Sequence, residues 1–448
     1  MNRAIHRALP VLTVIALAAC SGLGTHQSFV PGSAATGTGD GDIPFVGANP
    51  VRALCAAAAP ERMECLALVR TDVRPDVQMA TQARDDAETC PFSLGYCPID
   101  LQKAYDLPSL TAGSGKTVAI VDAYGYKHAA SDLAYFRKTM GLKACSTQTG
   151  CLRIVNQEGH SAPLPVEPPL SDDWKGEQSL DLDMVSGICP NCKIILVQAN
   201  NNYTSNLYTS VRTAGSLGAK YIGVSWGSGP EGSDNSIFHQ PGVVITAAAG
   251  DNGGGGRYGG GPIQPCTYTY VVCVGGTHLV RDSHNKRGWS ETVWNDWTFD
   301  QCGGPCGATG SACSTKIAKP PWQTDKGCRM RSAADTSATA SLRTPVIVYN
   351  SEENGCRPPN CFGYYGGTSA STQIIIGVYA LAGNAAGQHG GTYLWGHHTG
   401  HVYDVITGNN LDKGLGVTCA SNVVYICTAD HGFDGPTGWG TPAGVGAF

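Results

Sequence analysis

The chain has 448 residues, of which 42% are hydrophobic and 15% charged, and its net charge is −5. That is enough for one large globular domain or two ordinary ones, and no long basic run offers a surface for nucleic acid. The 59 glycines and 26 prolines point to many tight loops rather than long helices.

At the N-terminus two arginines precede an apolar run from Ala8 to Ala19, too short to be a permanent membrane anchor. Leu17-Ala18-Ala19-Cys20 resembles the lipobox of bacterial lipoproteins, in which the cysteine is lipidated and becomes the first residue. Residues 1–19 are therefore expected to be a lipoprotein-type signal peptide, in preference to an ordinary cleaved one. The protein is expected to be exported, anchored at the outer membrane or cell surface through a lipid on Cys20, or otherwise secreted. Residues 20–50, rich in Gly, Ser, Thr and Ala, read as a flexible tether. Residues 51–95 are alanine-rich with scattered charges, and no structure is assigned to them.

The cysteine count agrees with export. Setting Cys20 aside leaves 18 of 19, an even number. Close spacing suggests the pairs Cys55/Cys65, Cys90/Cys97, Cys145/Cys151, Cys189/Cys192, Cys266/Cys273, Cys356/Cys361 and Cys419/Cys427. Cys302, Cys306, Cys313 and Cys328 supply two more. Cys189-Pro-Asn-Cys192 has redox or zinc spacing, yet no second such motif completes a zinc set, so a structural disulfide is the expectation.

From about Cys97 the pattern is regular. Apolar strand-like runs occur at 117–123, 193–199, 221–226, 242–249 and 270–276, with helical stretches such as SDLAYFRKTMG and TSNLYTSVRTAGSLG between them. Such alternation predicts an α/β fold with a mostly parallel sheet covered by helices on both faces. Active sites in these sheets form at the carboxyl ends of the strands. No internal repeat is present.

The stretch GYYGGTSASTQIIIGVYALAG (363–383) places Ser369 on a glycine turn at the start of an apolar helix. There a hydroxyl faces free N–H groups and the positive end of the dipole. Its base is not an obvious histidine: His278 follows a strand, and His397, His398 and His401 cluster without an acidic partner. The segment 172–187 offers carboxylates instead. With Ser171 or Asp172 as cap and Gly187 at its end, it predicts a helix on which Glu177 and Asp181 share a face. An i,i+4 acidic pair is ordinarily an exposed face. Held close, the two share a proton and can accept one from serine in acid, where histidine is already charged. Asp183 points elsewhere. Asp251, in VVITAAAGDNGGGG, follows a strand and opens a glycine loop; it is either a turn residue or, protonated, a donor to a developing oxyanion.

Glu177-x-x-x-Asp181, Ser225-Trp226-Gly227-Ser228, Ala249-Gly250-Asp251 and Gly367-Thr368-Ser369 occur in that order. Together, over 97–448, they resemble the sedolisins, or serine-carboxyl peptidases. The resemblance implies a subtilisin-like three-layer sandwich over 96–448. It also implies Ser369 as nucleophile, Glu177 as general base and acid, Asp181 as its orienter and Asp251 as oxyanion donor. Protein or peptide substrates, acid optimum and a monomeric chain are expected with it. It further implies one structural Ca²⁺ at Asp404, Val405, Asp430, Gly432 and Asp434, where Asp430 departs from the family's glycine; hard oxygen ligands suit that ion. Sedolisins carry a folded pro-domain of over a hundred residues. Here only about 75 residues separate Cys20 from Cys97, so 51–95 is at most a pro-segment remnant. Asp122 is expected near the site without a triad role. Two alternatives stand beside the endopeptidase: an inactive peptide-binding envelope lipoprotein, and an exopeptidase releasing tripeptides.

Overall fold

The computed structural model describes residues 42–46, 50–75, 89–254, 261–298, 306–353, 355–412, 419 and 423–448, all in one compact unit. The expected signal peptide, Cys20 and most of the expected tether lie outside the described residues.

The chain begins with three short strands, β1 (Val51–Ala53), β2 (Glu64–Cys65) and β3 (Leu68–Arg70), followed by helix α1 (Pro98–Ala104). An alternating series then builds the centre: β4 (Thr117–Ala123), α2 (Ala129–Thr139), β5 (Leu152–Asn156), α3 (Trp174–Ile188), β6 (Lys193–Ala199), α4 (Thr204–Ser216) and β7 (Tyr221–Val224). Next come β8 (Trp226–Gly227), β9 (Val244–Ala248), β10 (Val272–Arg281), β11 (Trp289–Val293), β12 (Ala312–Ala318), β13 (Met330–Ala333) and β14 (Thr336–Thr339). Last are β15 (Val346–Tyr349), β16 (Phe362–Gly366), α5 (Thr368–Ala382), α6 (Thr392–His397), β17 (Val402–Tyr403) and β18 (Thr441–Pro442).

The main sheet runs β11-β10-β9-β7-β4-β6-β5, with β14 beside β10. Every pairing in it is parallel except β10 with β11. Helices α3 and α5 pack on each other and on the sheet, and α4 packs on β4 and β6. Val118 to Ala123 are all buried, as a strand covered on both faces requires. The α/β reading holds. Helix α5 explains why the centre is so dry: Thr368 to Leu381 are buried without a break, the mark of a helix inside a core rather than on it. Burying side chains such as Ile374, Ile375 and Ile376 contributes roughly 1.5–3 kcal/mol each.

Three local expectations shift. The cap of α3 is Asp173, which accepts from Gly176 N, while Asp172 accepts from Ala56 N at 3.2 Å. The end of the expected tether is packed: Ile43 and Phe45 are buried, and Asp42 pairs with His278 at 2.8 Å. Residues 51–70, left unassigned from sequence, hold three short strands. β3 sits between β1 and β16 in an antiparallel sheet, while β2 pairs with β8. The seven closely spaced cysteine pairs form as expected, including Cys189–Cys192, which is thus a disulfide and not a metal site. Cys313 joins Cys328, and Cys306 is also disulfide-bonded; Cys302 lies outside the described residues.

Candidate active site

Strands β4, β7 and β9 lie side by side; Asp122 is the penultimate residue of β4, Ser225 follows β7 and Asp251 lies three residues past β9. Helix α5 delivers Ser369 to the same place. The turn before it requires glycine: Gly367 has φ +93°, and a Cβ there would lie 2.5 Å from Leu66 O and 2.7 Å from Asp251 Oδ2. Ser369 is buried, its Oγ donates to the Ser225 carbonyl at 3.1 Å, and its N–H donates to the Leu66 carbonyl at 3.1 Å.

Glu177 and Asp181, one turn apart on α3, are buried too. Gln373 Nε2 holds Asp181 Oδ2 at 2.6 Å and reaches Ser225 Oγ at 2.8 Å. Neither oxygen of Glu177 has a partner at hydrogen-bonding distance, nor has Asp181 Oδ1. Burial first, then the charge of Asp122, pushes Glu177 well above the usual carboxylate range; its approach to Ser369 and to Asp181 works the other way. Burial, Asp122 and Glu177 likewise raise Asp181, against the pull of Ser225 and Gln373. Asp183 turns away and accepts from Tyr349 N at 2.9 Å, as its position on the helix implied.

Asp122, the penultimate residue of β4, lies near the site and bears on it. Both its oxygens are buried without partners, burial lifts it to about 8, and it acts on both carboxylates of α3. Three acids therefore share one water-poor site, and like charges so placed cannot all ionise. Asp251 has a separate environment. Its Oδ1 accepts from Thr368 N at 2.9 Å and from Thr368 Oγ1 at 2.8 Å, and its Oδ2 is buried without a partner. Burial raises it to about 7 against those bonds, so below that pH it carries a proton. With Oδ1 occupied as acceptor, Oδ2 is the place for it, beside the oxygen that Ser369 N already holds.

None of the hydrogen-bond or electrostatic partners of Ser369, Glu177 and Asp181 among the described residues is a histidine. His397 and His398 bond to backbone carbonyls, and His398 stacks on Trp439. Ser225 falls in the Ser225-Trp226-Gly227-Ser228 string without a role assigned to it, while Gln373 and Leu66 carry no motif that singles them out. Gln373 had one available signal, its position four residues after Ser369 on the same helix face. A cleft of about 790 Å³ opens beside the site, with Gly250, Asp251, Ile263, Trp297 and Gly307 among its lining.

The expected calcium loop lies apart, where β17 meets β18. Asp434 is buried, with Oδ1 held by Thr437 N and Oγ1 at 2.9 Å and Oδ2 by Asp430 N at 3.2 Å. Asp404 Oδ2 accepts from Gly432 N at 2.9 Å, and Val405 is buried behind it. Burial, with Asp404 adding, lifts Asp434 to about 8. Two carboxylates thus face one loop, with the exposed His431 3.8 Å from Asp404. That donor set fits a hard cation. Among the described residues the one cluster of three ligand-type side chains is Cys90, Cys97 and Asp100, and its cysteines are bonded to each other.

The model of the subtilase family matches residues 171–440. Kumamolisin of Bacillus sp. (strain MN-32) is 26% identical over 408 residues, covering 84% of this chain and 68% of that protein. Tripeptidyl-peptidase sed5 of Aspergillus fumigatus is 27% identical over 208 residues, with 40% of this chain and 32% of that protein covered. In fold the chain is similar to the solved structure of Pseudomonas sedolisin, described as a serine-carboxyl proteinase, at a TM-score of 0.62 and 24% identity over 78% of this chain and 95% of that one. The chain belongs to the subtilase family and is a serine peptidase of the sedolisin kind.

Proposed function

We propose that the protein is an acid-acting endopeptidase in which Ser369 attacks the peptide carbonyl. Glu177 takes the Oγ proton and returns it to the leaving amine, Asp181 keeps the neighbouring proton and orients Glu177, and protonated Asp251 joins Ser369 N–H in binding the oxyanion. The observation that carries this reading is the pair of orphaned Glu177 oxygens in a buried carboxylate cluster at Ser369. An unsatisfied buried acid is costly and calls for an explanation, and a proton acceptor supplies one. Shared protons keep the cluster near a single charge, so one carboxylate is free to act as base while its partner stays neutral. Raising the pH through about 7 ionises Asp251, which then repels the oxyanion instead of donating to it. Activity is therefore expected in acid and lost toward the alkaline side. The test is a pH–rate profile on a denatured protein for wild type and Glu177→Gln. Wild type that hydrolyses nothing between pH 2 and 7 would end the proposal.

Asp404, Asp434 and the carbonyls of Val405, Asp430 and Gly432 would hold one structural Ca²⁺, which supplies charge neutralisation to the loop and no chemistry. Calorimetry on chelator-treated protein is expected to show uptake of one ion; none would refute the site. Export fits the disulfide count, and a lipid on Cys20 would hold the enzyme at the cell envelope. Labelled palmitate retained by wild type and lost in Cys20→Ala checks the anchor.

A further inference from the structure

We infer that Gln373 is a positioning residue of the carboxylate pair: its amide, clamped between Asp181 and Ser225, confines the proton shared by Glu177 and Asp181 to Asp181 Oδ1 and keeps the pair charged in acid. The inference rests on the peptidase reading and adds to it the group that fixes where the shared proton lies.

The geometry carries it. Gln373 stands four residues after Ser369 on α5, so the two side chains share a face of the helix. An amide nitrogen has two hydrogens, and both are spent. One goes to Asp181 Oδ2 at 2.6 Å and the other to Ser225 Oγ at 2.8 Å. Ser225 Oγ donates its own hydrogen to the Ser369 carbonyl at 3.4 Å, which ties the clamp to the nucleophile's turn of helix. Gln373 Oε1 is left buried without a partner. An orphaned amide oxygen is costly, yet turning the amide over would set oxygen against oxygen whenever Asp181 is ionised. Strand β7 makes room for this placement. Gly223 lies against the amide, and a Cβ there would lie 2.3 Å from Oε1 and 2.9 Å from Nε2.

The chemical consequence is directional. An N–H group donates and cannot accept, so Asp181 Oδ2 is closed to a proton while the clamp holds. Oδ1, buried and without a donor, is the place left on Asp181 for the proton it shares with Glu177. The same N–H group favours the singly charged pair over the doubly protonated one. In acid the pair thus retains the charge with which Glu177 receives the Ser369 Oγ proton. Without that charge both acids are neutral and no base remains.

The groups that face Asp181 are Glu177 on its own helix, Asp122 on β4, Ser225 after β7 and Gln373 on α5. Other elements packed on α3 turn elsewhere. Arg137 and Asp132 of α2 act on Asp183, which also takes Tyr349 N from the end of β15. From α1, Gln102 reaches the Gly187 carbonyl at 2.6 Å, and from β6, Gln198 reaches Gln178 at 2.9 Å.

The test is the pH–rate profile of the full-length exported chain on a denatured protein. Gln373→Met keeps the volume and removes both hydrogens. Its acid limb is expected to move up by about one pH unit or more, as for a lost hydrogen bond to a charged group, with KM changed less than about threefold. The alkaline fall near pH 7, which belongs to Asp251, should stay in place. Gly223→Ala displaces the amide without touching an acid and should move the acid limb the same way. A rate that falls evenly across the profile, with the acid limb unmoved, is what a merely structural role gives; it overturns the clamp and leaves the peptidase reading standing. If no form hydrolyses any peptide, that reading has failed, and the clamp is judged by magnetic resonance on wild type labelled with ¹⁵N-glutamine. The side-chain amide signal absent from Gln373→Glu should shift as the pair takes up its second proton in acid. A signal that ignores pH overturns the clamp, and the same measurement decides if Gln373→Met does not fold.

Discussion

Two buried carboxylates, Glu177 and Asp335, show how differently this fold treats the same chemical group. Asp335 is saturated: it pairs with Arg331, accepts from Cys273 N at 2.9 Å and from Trp395 Nε1 at 3.2 Å, and none of the pair is exposed. Glu177, equally buried, has no N–H donor or cation on either oxygen and sits among acids, near only the hydroxyl of Ser369 and the carboxyl of Asp181. The fold plainly can satisfy a buried acid where the acid holds β14 and β10 together. Where it does not, the unsatisfied group is kept for a proton. Asp122 and Asp251 Oδ2 belong with Glu177 on this count.

The comparison breaks first on activity. Ser369→Ala and Glu177→Gln are each expected to lower kcat/KM about 10⁴-fold or more with near-normal circular dichroism. Asp335→Ala is expected to leave the chemistry largely intact in whatever fraction folds. A smaller effect is expected from Asp251→Ala, about 10²- to 10³-fold in kcat, the size of a lost oxyanion donor. Asp251→Asn, which keeps an N–H donor, should retain more activity and lose the alkaline fall near pH 7.

Stability sharpens the contrast. Asp335→Ala leaves Arg331 buried and unpaired, and should cost about 3–5 kcal/mol in urea unfolding. Asp122→Asn is expected to do the reverse at neutral pH. The folded pKa of about 8 lies above the ordinary 3.8, so the carboxyl group favours the folded chain least once the unfolded one ionises. Stability from such raised groups is full below about pH 4 and drains away as pH climbs toward 7 for Asp251 and 8 for Asp122. Melting temperature should therefore fall over that window in wild type. Asp122→Asn should melt higher than wild type at pH 7, with the gap closing by pH 4; a gap that does not change with pH would remove Asp122 from the cluster.

Much of the site was legible because it is local. Gly367-Thr368-Ser369 before an apolar run specifies a strained turn into a helix, and Glu177 and Asp181 meet by helical spacing alone. Asp251 could be placed at a strand end. Asp122 was legible as a strand-end acid, but its closeness to α3 depends on how the helix packs over β4. Ser225 was legible only as part of a short motif, and Gln373 looks like an ordinary core polar residue until the packing of α5 on α3 and β7 sets it between Asp181 and Ser225. The alanine-rich stretch after residue 50 has too few residues per strand to show a period, and its strands exist because β8 and β16 offer edges to pair with.

What the sequence determined by itself was the parallel α/β plan, the seven closely spaced disulfide pairs and which four acidic and hydroxyl groups make up the candidate site, since each rests on spacing within one element or a short loop. Only the tertiary structure decided which acids lose their water and partners together. Burial and pairing depend on elements distant in the chain, and no local pattern records them.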